Sequence, residues 1–310
     1  MLAVHLENGE VTMRDIPRPQ RPAGYALLRL LAGGICNTDL ELQRGYYGFS
    51  GTPGHEFVSE VVESDTAALR GKRVVGEINL CCAACDWCRR GLGRHCPNRT
   101  VLGIVRHPGA FQEFFTLPDR NLHVLPDSIP TERAVFTEPL AAACEILDQV
   151  TIPCGATVAV LGDGKLGLLI ALVLNAHGYK VHQSGHHAEK LRIASDAGVV
   201  TRVDPDARYG WVVDATGSPE GLAGAVKMTA PRGTLILKST VHGKVGIDTA
   251  PVIVDEITLV GSRCGRFEAA LPLLDLIPVD KLIHARYSLS EAPQAFRHAA
   301  SRGALKVLLT

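Results

Sequence analysis

The chain has 310 residues, 46% of them hydrophobic, a length that fits two domains better than one. Its 32 basic and 32 acidic residues cancel, so the charge balance gives no support for nucleic acid or a membrane surface as a partner. No apolar run reaches the ~20 residues that span a bilayer, and the N-terminus lacks the pattern of a signal peptide. Nine cysteines, an odd number, favour metal binding or catalysis over a disulfide framework. We expect a cytoplasmic protein.

The N-terminal region favours β structure and contains the first candidate metal ligands. Residues 1–35 are short apolar stretches broken by prolines, and residues 25–32 have the pattern of a strand. Cys36 follows this strand, and His55 and Glu56 come later in the same region. A cysteine, a histidine and a carboxylate suit a catalytic zinc, which takes three protein ligands and keeps one position open. Taken singly, Cys36 and His55 are more typical of buried structural residues.

A second group of cysteines has the spacing C-x2-C-x2-C-x7-C. Its members are Cys82, Cys85, Cys88 and Cys96. Four thiolates can enclose one tetrahedral zinc ion and leave no position for water, so the motif predicts a structural site rather than a reactive one. The alternative is a set of buried or oxidised thiols. Cys81 is a neighbouring thiol outside this spacing.

The region that follows predicts two strands and a helix. Residues 109–118 and 122–126 have strand character. After Pro130 the pattern becomes helical, with Thr131 as the predicted N-cap, and the helix continues past Glu138. From the residues alone, Glu138 is interpreted as a charge at the start of a helix.

Residues 157–181 predict a βαβ unit that binds a dinucleotide. The apolar strand 157–161 leads into a G-x-G-x-x-G turn, residues 165–177 have the pattern of a buried helix, and a second strand begins at 179. The glycines permit a tight turn, close approach of a pyrophosphate and close helix packing, while the helix N-terminus attracts the anion. The residues assigned to the turn are Gly162, Gly164, Lys165, Leu166 and Gly167.

The rest of the chain continues this alternation. A third strand, 211–218, ends in the turn Thr216-Gly217, and further strands are predicted at 233–240 and 257–262. Helical intervals separate them, as a parallel sheet requires. The tail contains two predicted helical segments and a final strand, at 267–276, 291–302 and 305–309. The predicted fold class is therefore α/β, with a β-rich first part and a doubly wound parallel sheet.

The order of six motifs resembles that of the zinc-dependent alcohol dehydrogenase branch of the medium-chain dehydrogenase/reductases, over essentially the whole chain. The motifs are G-I-C-x-T-D, G-H-E, the four-cysteine loop, G-A-F-x-E, E-P-L-A and the glycine-rich turn. The resemblance implies a GroES-like catalytic domain, formed by residues 1–139 and 263–310, and a Rossmann domain formed by residues 140–262. It also implies an active site in the cleft between them.

The resemblance further implies two zinc ions per chain, one catalytic and one structural. Cys36 and His55 would bind the catalytic zinc, and Glu138 stands where the family has its third protein ligand, a second cysteine in alcohol dehydrogenases. Glu56 would be the ligand that exchanges with Glu138, and direct or water-mediated binding remain alternatives. The four-cysteine loop would bind the structural zinc.

A proton path follows from the same resemblance. Zinc would polarise the alcohol oxygen, Thr38 would relay the alcohol proton, and hydride would pass to the nicotinamide. The chain departs from many relatives at Glu41, where they have a histidine that passes the proton to solvent. Glu41 could act as the base, or the relay could run elsewhere.

The coenzyme prediction depends on the end of the second strand. An acidic residue that binds the ribose 2′-hydroxyl of NAD is expected there, but the position falls on Gly185. A small residue, two histidines and a lysine suit a 2′-phosphate better, so NADP is predicted over NAD. The alternative is an exposed polar turn without selectivity. The residues involved are Ser184, Gly185, His186, His187 and Lys190.

The expected function is hydride transfer between an alcohol or polyol, or its carbonyl product, and NAD(P). The alternatives are a zinc-free quinone or enoyl reductase of the same superfamily, and a non-catalytic redox-sensing protein that binds NADP. Tyr46, Tyr47 and Phe49 could wall the substrate pocket or serve only as packing. The strand at 257–261 predicts a homodimer or homotetramer, as in many relatives.

Overall fold

The computed structural model describes residues 1–204, 206–239 and 245–310. The chain divides into two compact units, one formed by Met1–Glu138 with Ile283–Thr310 and the other by Pro139–Leu282. Residues 263–282, assigned from the sequence to the catalytic domain, therefore lie in the second unit. The reason is local packing, since Arg266 forms two hydrogen bonds with Asp148 and a side chain at Gly265 would collide with the carbonyl of Ala141.

The first part of the chain is mostly β structure, as its proline-broken pattern predicts. Its helices are α1 (Asn37–Gln43), α2 (Asp86–Arg89) and α3 (Thr131–Ala134). Its strands are β1 (Leu2–Glu7), β2 (Glu10–Asp15), β3 (Tyr25–Ile35), β4 (Glu56–Glu63), β5 (Arg73–Gly76), β6 (Asn79–Leu80), β7 (Thr100–Leu102), β8 (Arg106–His107), β9 (Phe114–Pro118) and β10 (Leu122–Val124).

The helix predicted from residue 131 is in fact two helices. α3 ends at Ala134, and α4 (Thr137–Gln149) begins after a short break. Pro130 rather than Thr131 is the N-cap of α3, and no side chain caps it. A proline fits that position because the first N–H groups of a helix have no intrahelical partner.

The second unit is built on a parallel sheet of five strands. The strands are β11 (Thr157–Leu161), β12 (Lys180–Ser184), β13 (Tyr209–Asp214), β14 (Thr229–Leu237) and β15 (Thr258–Gly261), in the order β12-β11-β13-β14-β15. The helices are α5 (Lys165–Ala176), α6 (Ala188–Ser195), α7 (Pro219–Met228), α8 (Thr249–Val254) and α9 (Phe267–Ala270). The fourth predicted strand starts and ends earlier than expected, and its last predicted residue, 240, lies outside the described residues.

The apolar character of β11 and α5 explains their place in this unit. Consecutive residues 158–160 of β11 are all buried, so both faces of the strand are covered, as is typical of parallel sheets. Residues 167–174 of α5 are buried without interruption. The register of β11 on β12 brings Leu161 beside Ser184, and therefore brings the glycine-rich turn to the end of the second strand.

The last segment returns to the first unit. It contains β16 (Ile283–Tyr287), α10 (Ala292–Ala299) and β17 (Lys306–Leu309). β17 pairs with β3 and completes a sheet in the order β10-β5-β4-β3-β17-β16, with β9 also paired to β3. Residues near the C-terminus thereby lie beside residues near position 35. No helix among the described residues combines the length and the apolar character needed to cross a membrane.

Candidate functional site

The four cysteines of the predicted structural site converge in the first unit. The Sγ–Sγ distances are 3.5 Å for Cys85–Cys88 and for Cys82–Cys96, 3.7 Å for Cys85–Cys96 and 3.9 Å for Cys82–Cys88. Four sulfurs at about 2.3 Å from one centre lie about 3.8 Å apart in a tetrahedron. The geometry therefore fits a closed zinc site.

The protonation of these thiols also fits a cation. Hydrogen bonds from the backbone N–H groups of Ala84 and Cys85 lower the pKa of Cys82 to about 6. Burial and the neighbouring sulfurs raise the pKa of Cys88 to about 12. Zn²⁺ binds the deprotonated form of cysteine, and its charge would compensate the negative charge of four thiolates at these distances.

A second cluster joins Cys36, His55 and Glu56, whose ligand atoms lie within 4.8 Å of one another. Cys36 caps the N-terminus of α1, while His55 and Glu56 stand at the start of β4. β3 and β4 pair side by side, with Gly34 opposite Glu56. The pairing brings together residues that are distant in the sequence. His55 and Glu56 are almost completely buried.

Asp39, which the sequence analysis missed, organises this cluster from a fully buried position. Its carboxylate accepts hydrogen bonds from the backbone N–H of Cys36 (2.8 Å) and of Gly54 (3.2 Å). Nδ1 of His55 lies 3.3 Å from Oδ1 of Asp39, which leaves Nε2 for a metal. Burial lowers the pKa of His55, but the charge of Asp39 and hydrogen bonds to Asp39 and Cys36 outweigh it and raise that pKa well above its usual value.

The G-A-F segment, residues 109–111, packs closely against the backbone that precedes His55. Gly54 has φ +103°, and a Cβ there would lie 2.5 Å from the ring of Phe111, which is fully buried. Gly109 approaches the carbonyl of Pro53 so closely that a Cβ would lie 2.2 Å from it. These contacts fix the position of His55.

The two carboxylate oxygens of Glu56 differ in their hydrogen-bond partners among the described residues. Oε2 forms an ion pair with Nζ of Lys306, and both side chains are 1% exposed. Oε1 is buried and makes no hydrogen bond with any described residue. Such an orphaned oxygen, beside a thiol and an imidazole, fits a metal ion. Lys306 lies 250 positions from Glu56 in the sequence, and no local pattern indicated it.

The other residues predicted for catalysis are placed as follows. Oγ1 of Thr38 lies 3.8 Å from Sγ of Cys36, so the hydroxyl borders the cluster. Glu41 forms an ion pair with Arg44, the C-cap residue of α1. Glu138 stands in the first turn of α4 and does not belong to the three-ligand cluster. The third ligand residue of the cluster, and its carboxylate, is therefore Glu56, which begins β4 directly after His55.

The aromatic residues predicted near the substrate lie in the same unit. Tyr47 and Phe49 line a cavity of 1020 Å³ together with Thr52 and Gln112. Cys36, His55 and Glu56 are not among the residues that line this cavity. The ring of Tyr46 packs against that of Tyr47 at a centroid distance of 4.2 Å and an interplanar angle of 42°.

The glycine-rich turn of the second unit has the geometry that its motif requires. Gly162 has φ +116° and approaches the carbonyl of Ala215, and a Cβ on Gly167 would lie 2.3 Å from the carbonyl of Gly162. Around Gly164 a Cβ would meet no atom within 4 Å, so this side of the turn is open. No side chain caps the N-terminus of α5. The open turn and the uncapped N–H groups fit a pyrophosphate.

A carboxylate that was not among the predicted coenzyme residues, that of Asp163, lies against the residues that follow β12. Oδ2 of Asp163 accepts hydrogen bonds from the backbone N–H groups of His186 (2.6 Å) and His187 (2.7 Å). Nδ1 of His187 lies 3.1 Å from the same oxygen. Asp163 is inside the glycine-rich turn, and the parallel register of β11 and β12 brings it beside Gly185.

The remaining predicted coenzyme residues also surround these strand ends. The carbonyl of Ser184 accepts a hydrogen bond from the N–H of Gly162. Lys190 is 8% exposed, and its ammonium group has no ion-pair partner in the described chain. Oγ1 of Thr216 donates to Asp214, and Gly217 follows with φ +68°. The turn after β13 is thus held by its own side chains.

Two family models cover most of the chain. The model described as the alcohol dehydrogenase GroES-like domain matches residues 22–127, and the zinc-binding dehydrogenase model matches residues 166–277. D-altritol 5-dehydrogenase of Agrobacterium fabrum is 32% identical over 278 residues, which cover 83% of this chain and 82% of the relative. The chain belongs to the zinc-type alcohol dehydrogenase-like family of medium-chain dehydrogenases.

Other members extend the comparison over the full length. Sorbitol dehydrogenase of Halalkalibacterium halodurans is 29% identical and covers 97% of this chain and 96% of its own. A zinc-binding dehydrogenase of Sinorhizobium meliloti, solved bound to NADP, has a TM-score of 0.90 and 29% identity over 99% of this chain and 98% of that one. The predicted α/β fold with GroES-like and Rossmann parts is confirmed. This family member is an NAD(P)-linked alcohol dehydrogenase-like oxidoreductase.

Proposed function

We propose that this dehydrogenase interconverts a secondary alcohol group of a polyol and the corresponding ketone, with NAD(P) as hydride acceptor or donor. The observation that carries the proposal is the orphaned Oε1 of Glu56 beside Cys36 and His55. Two similar proteins, named as dehydrogenases of altritol and sorbitol, support a polyol as the substrate class.

The residues that would hold the catalytic zinc are Cys36, His55 and Glu56. When bound, zinc acts as a Lewis acid on an alcohol or carbonyl oxygen, and the coenzyme exchanges the hydride. Asp39 orients the imidazole of His55, and Lys306 holds the second oxygen of Glu56 in a buried ion pair. The side chains of the cluster are thereby oriented in advance.

Thr38 is the proposed first acceptor of the alcohol proton. Its hydroxyl borders the thiol of Cys36 at 3.8 Å, and a hydroxyl can accept one hydrogen bond while it donates another. Glu41 lies one turn further along α1, and its carboxylate, 17% exposed, forms an ion pair with Arg44. The role of Glu41 as final base stays a prediction.

The identity of the third zinc ligand can be tested with two matched variants. Glu56→Ala should lose one zinc per chain, whereas Glu138→Ala should keep the wild-type zinc content, because Glu138 is outside the cluster. Elemental analysis of both purified variants measures this. Retention of zinc in Glu56→Ala together with its loss in Glu138→Ala would instead support Glu138 as the ligand.

The proposed structural zinc is held by Cys82, Cys85, Cys88 and Cys96, and the coenzyme pyrophosphate by the turn from Gly162 to Gly167. Two zinc ions per chain are therefore expected. The preference for NADP that the sequence predicts rests on the absence of a carboxylate at Gly185, and the NADP-bound relative supports it. Asp163 supplies a carboxylate beside Gly185 and argues for NAD.

A homodimer or homotetramer is proposed through the edge of the parallel sheet. β15 is the last strand in the sheet order, and Leu259 on it is 41% exposed. Ile253 and Val254 on the preceding helix α8 are 71% and 78% exposed. Exposed apolar residues beside an open strand edge are typical of a contact surface. Light scattering tests this, and a monomer would contradict it. The cytoplasmic location stays a prediction.

The decisive test of the proposed function combines zinc analysis with a substrate panel. Wild-type enzyme should contain two zinc ions and reduce NAD(P) with at least one polyol, and Cys36→Ala should contain one zinc ion and lose the activity. A single zinc in both proteins with activity on quinones or enoyl compounds would favour the zinc-free reductase. Two zinc ions and coenzyme binding without turnover of any alcohol would favour the redox-sensing protein.

A further inference from the structure

Gly185 has no room for the acidic side chain that many dinucleotide-binding sheets have at this position. A Cβ on Gly185 would lie 2.4 Å from Cβ of Asp163 and 2.5 Å from its Oδ2. The backbone at Gly185 does not have a positive φ, so the exclusion results from space and not from conformation. Asp163 therefore occupies the volume that a carboxylate at 185 would need.

Asp163 is fixed in this place by donors from the end of β12. Its side chain is 11% exposed. Oδ2 accepts hydrogen bonds from the backbone N–H groups of two consecutive residues, and Nδ1 of His187 lies 3.1 Å from the same oxygen. Consecutive backbone N–H groups that point to one spot form an anion-binding concavity. This concavity is therefore already filled by an anion of the chain itself. Oδ1 accepts no hydrogen bond from any described residue.

The groups around this position would act on a bound phosphate in opposite directions. Lys190 on α6 is buried and has no ion-pair partner among the described residues, and Nε2 of His187 is buried without a hydrogen bond. These groups would attract a phosphate. Burial raises the pKa of Asp163, but hydrogen bonds from His187 and His186 lower it further, to below its ordinary value. The carboxylate is thus ionised at neutral pH.

We propose that Asp163 selects the coenzyme in place of the missing acid at Gly185: it accepts the ribose 2′-hydroxyl of NAD and excludes the 2′-phosphate of NADP. The proposal rests on the proposed function, since it assumes that a dinucleotide binds at the glycine-rich turn. A hydroxyl can donate to the unengaged Oδ1. A 2′-phosphate instead meets a fixed negative charge, and the N–H donors that it would use are occupied. The chain would therefore prefer NAD, contrary to the prediction from its sequence.

Direct titration of the zinc-loaded wild-type enzyme with NADH and with NADPH tests the proposal without turnover. The nicotinamide fluorescence gives the two dissociation constants. We expect NADH to bind about 10-fold or more tightly, the ratio that one hydrogen bond to a charged group supplies. Equal binding, or tighter binding of NADPH, would overturn the proposal. Failure of both coenzymes to bind would instead contradict the proposed dehydrogenase function.

Variants of Asp163 distinguish a role in coenzyme selection from a structural role in the loop. Asp163→Ala, with Asp163→Ser as a second variant if the first folds poorly, should tighten NADPH binding and weaken NADH binding. Glu189→Gln is the matched control, because it removes one exposed carboxylate from the start of α6 and should leave the ratio unchanged. Equal weakening of both coenzymes by either Asp163 variant would assign the residue a structural role and overturn the proposal.

Discussion

Glu56 and Lys306 form a buried ion pair next to the proposed catalytic cluster, and such pairs are costly to break. Both side chains are 1% exposed. Removal of one partner leaves the other charge buried without compensation, whereas replacement of both often costs little. Burial lowers the pKa of Lys306, but the charge of Glu56 raises it further, above the ordinary 10.5. The stability that this raised pKa represents is therefore fully present below about 10.5, including at neutral pH, and is lost as the pH rises through the elevated value.

Lys306→Met should destabilise the first unit by about 3–5 kcal/mol, because Glu56 would keep its charge without a partner. The double variant Lys306→Met with Glu56→Gln should recover much of the loss. Thermal unfolding of both proteins, after removal of zinc so that metal binding does not contribute, measures the difference. A double variant as unstable as the single one would show that the packing of Lys306 matters more than its charge.

A second prediction at the scale of single residues concerns the effect of Gly54 on zinc binding. Gly54→Ala should displace His55 and reduce the zinc content by one per chain, because its Cβ would collide with Phe111. Gly45→Ala is the matched control, since its φ of +98° is similar but its surroundings are open. The control should cost only the ~1–2 kcal/mol of a left-handed conformation and keep both zinc ions. Equal zinc loss in both variants would contradict the collision.

The site residues that could be predicted from the sequence differ from those that could not in how the fold brings them together. The four cysteines lie within one loop, and the glycine-rich turn is continuous, so spacing alone indicated both. Lys306 reaches Glu56 only through the pairing of β17 with β3, and Asp163 reaches Gly185 only through the parallel register of β11 and β12. Contacts made by strand pairing leave no periodicity in the chain.

At the scale of elements, the strands of the parallel sheet were predictable because they are apolar on both faces. The break between α3 and α4 was not, since residues 131–144 carry one continuous helical pattern. Residues 263–282 were assigned to the wrong side of the unit boundary because their contacts with α4 depend on backbone approach at Gly265. Local propensity does not encode such an approach.

The four-cysteine loop is the element that depends most on metal. α2 contains four residues, none of them buried, so the loop has no apolar core of its own. Cys88→Ser should therefore lose one zinc and expose the loop to cleavage by trypsin at Arg89, Arg90 or Arg94. Cys81→Ser is the control, because Cys81 is outside the ligand set, and should retain both zinc and resistance. Rapid cleavage of the control would show that the loop is open with zinc bound.

At the scale of the whole molecule, metal and coenzyme chemistry are assigned to different compact units. Every residue of both cysteine-containing clusters lies in the unit that includes Met1–Glu138, and the glycine-rich turn lies in the unit Pro139–Leu282. Each unit has its own sheet, so the residues that shape one site are not those that shape the other. Substitutions should therefore separate the two binding functions.

Gly164→Val provides that separation. A Cβ at Gly164 meets no protein atom within 4 Å, so the variant should fold and keep both zinc ions. Its side chain would occupy the open side of the turn and weaken the binding of NADH and NADPH by about 10-fold or more, through lost hydrogen bonds to the pyrophosphate. Cys36→Ala should show the reverse, with one zinc lost and both dissociation constants within about 2-fold of wild type, a difference of ~0.4 kcal/mol. Fluorescence titration and elemental analysis measure both variants. Unchanged coenzyme binding in Gly164→Val would mean that the pyrophosphate lies elsewhere.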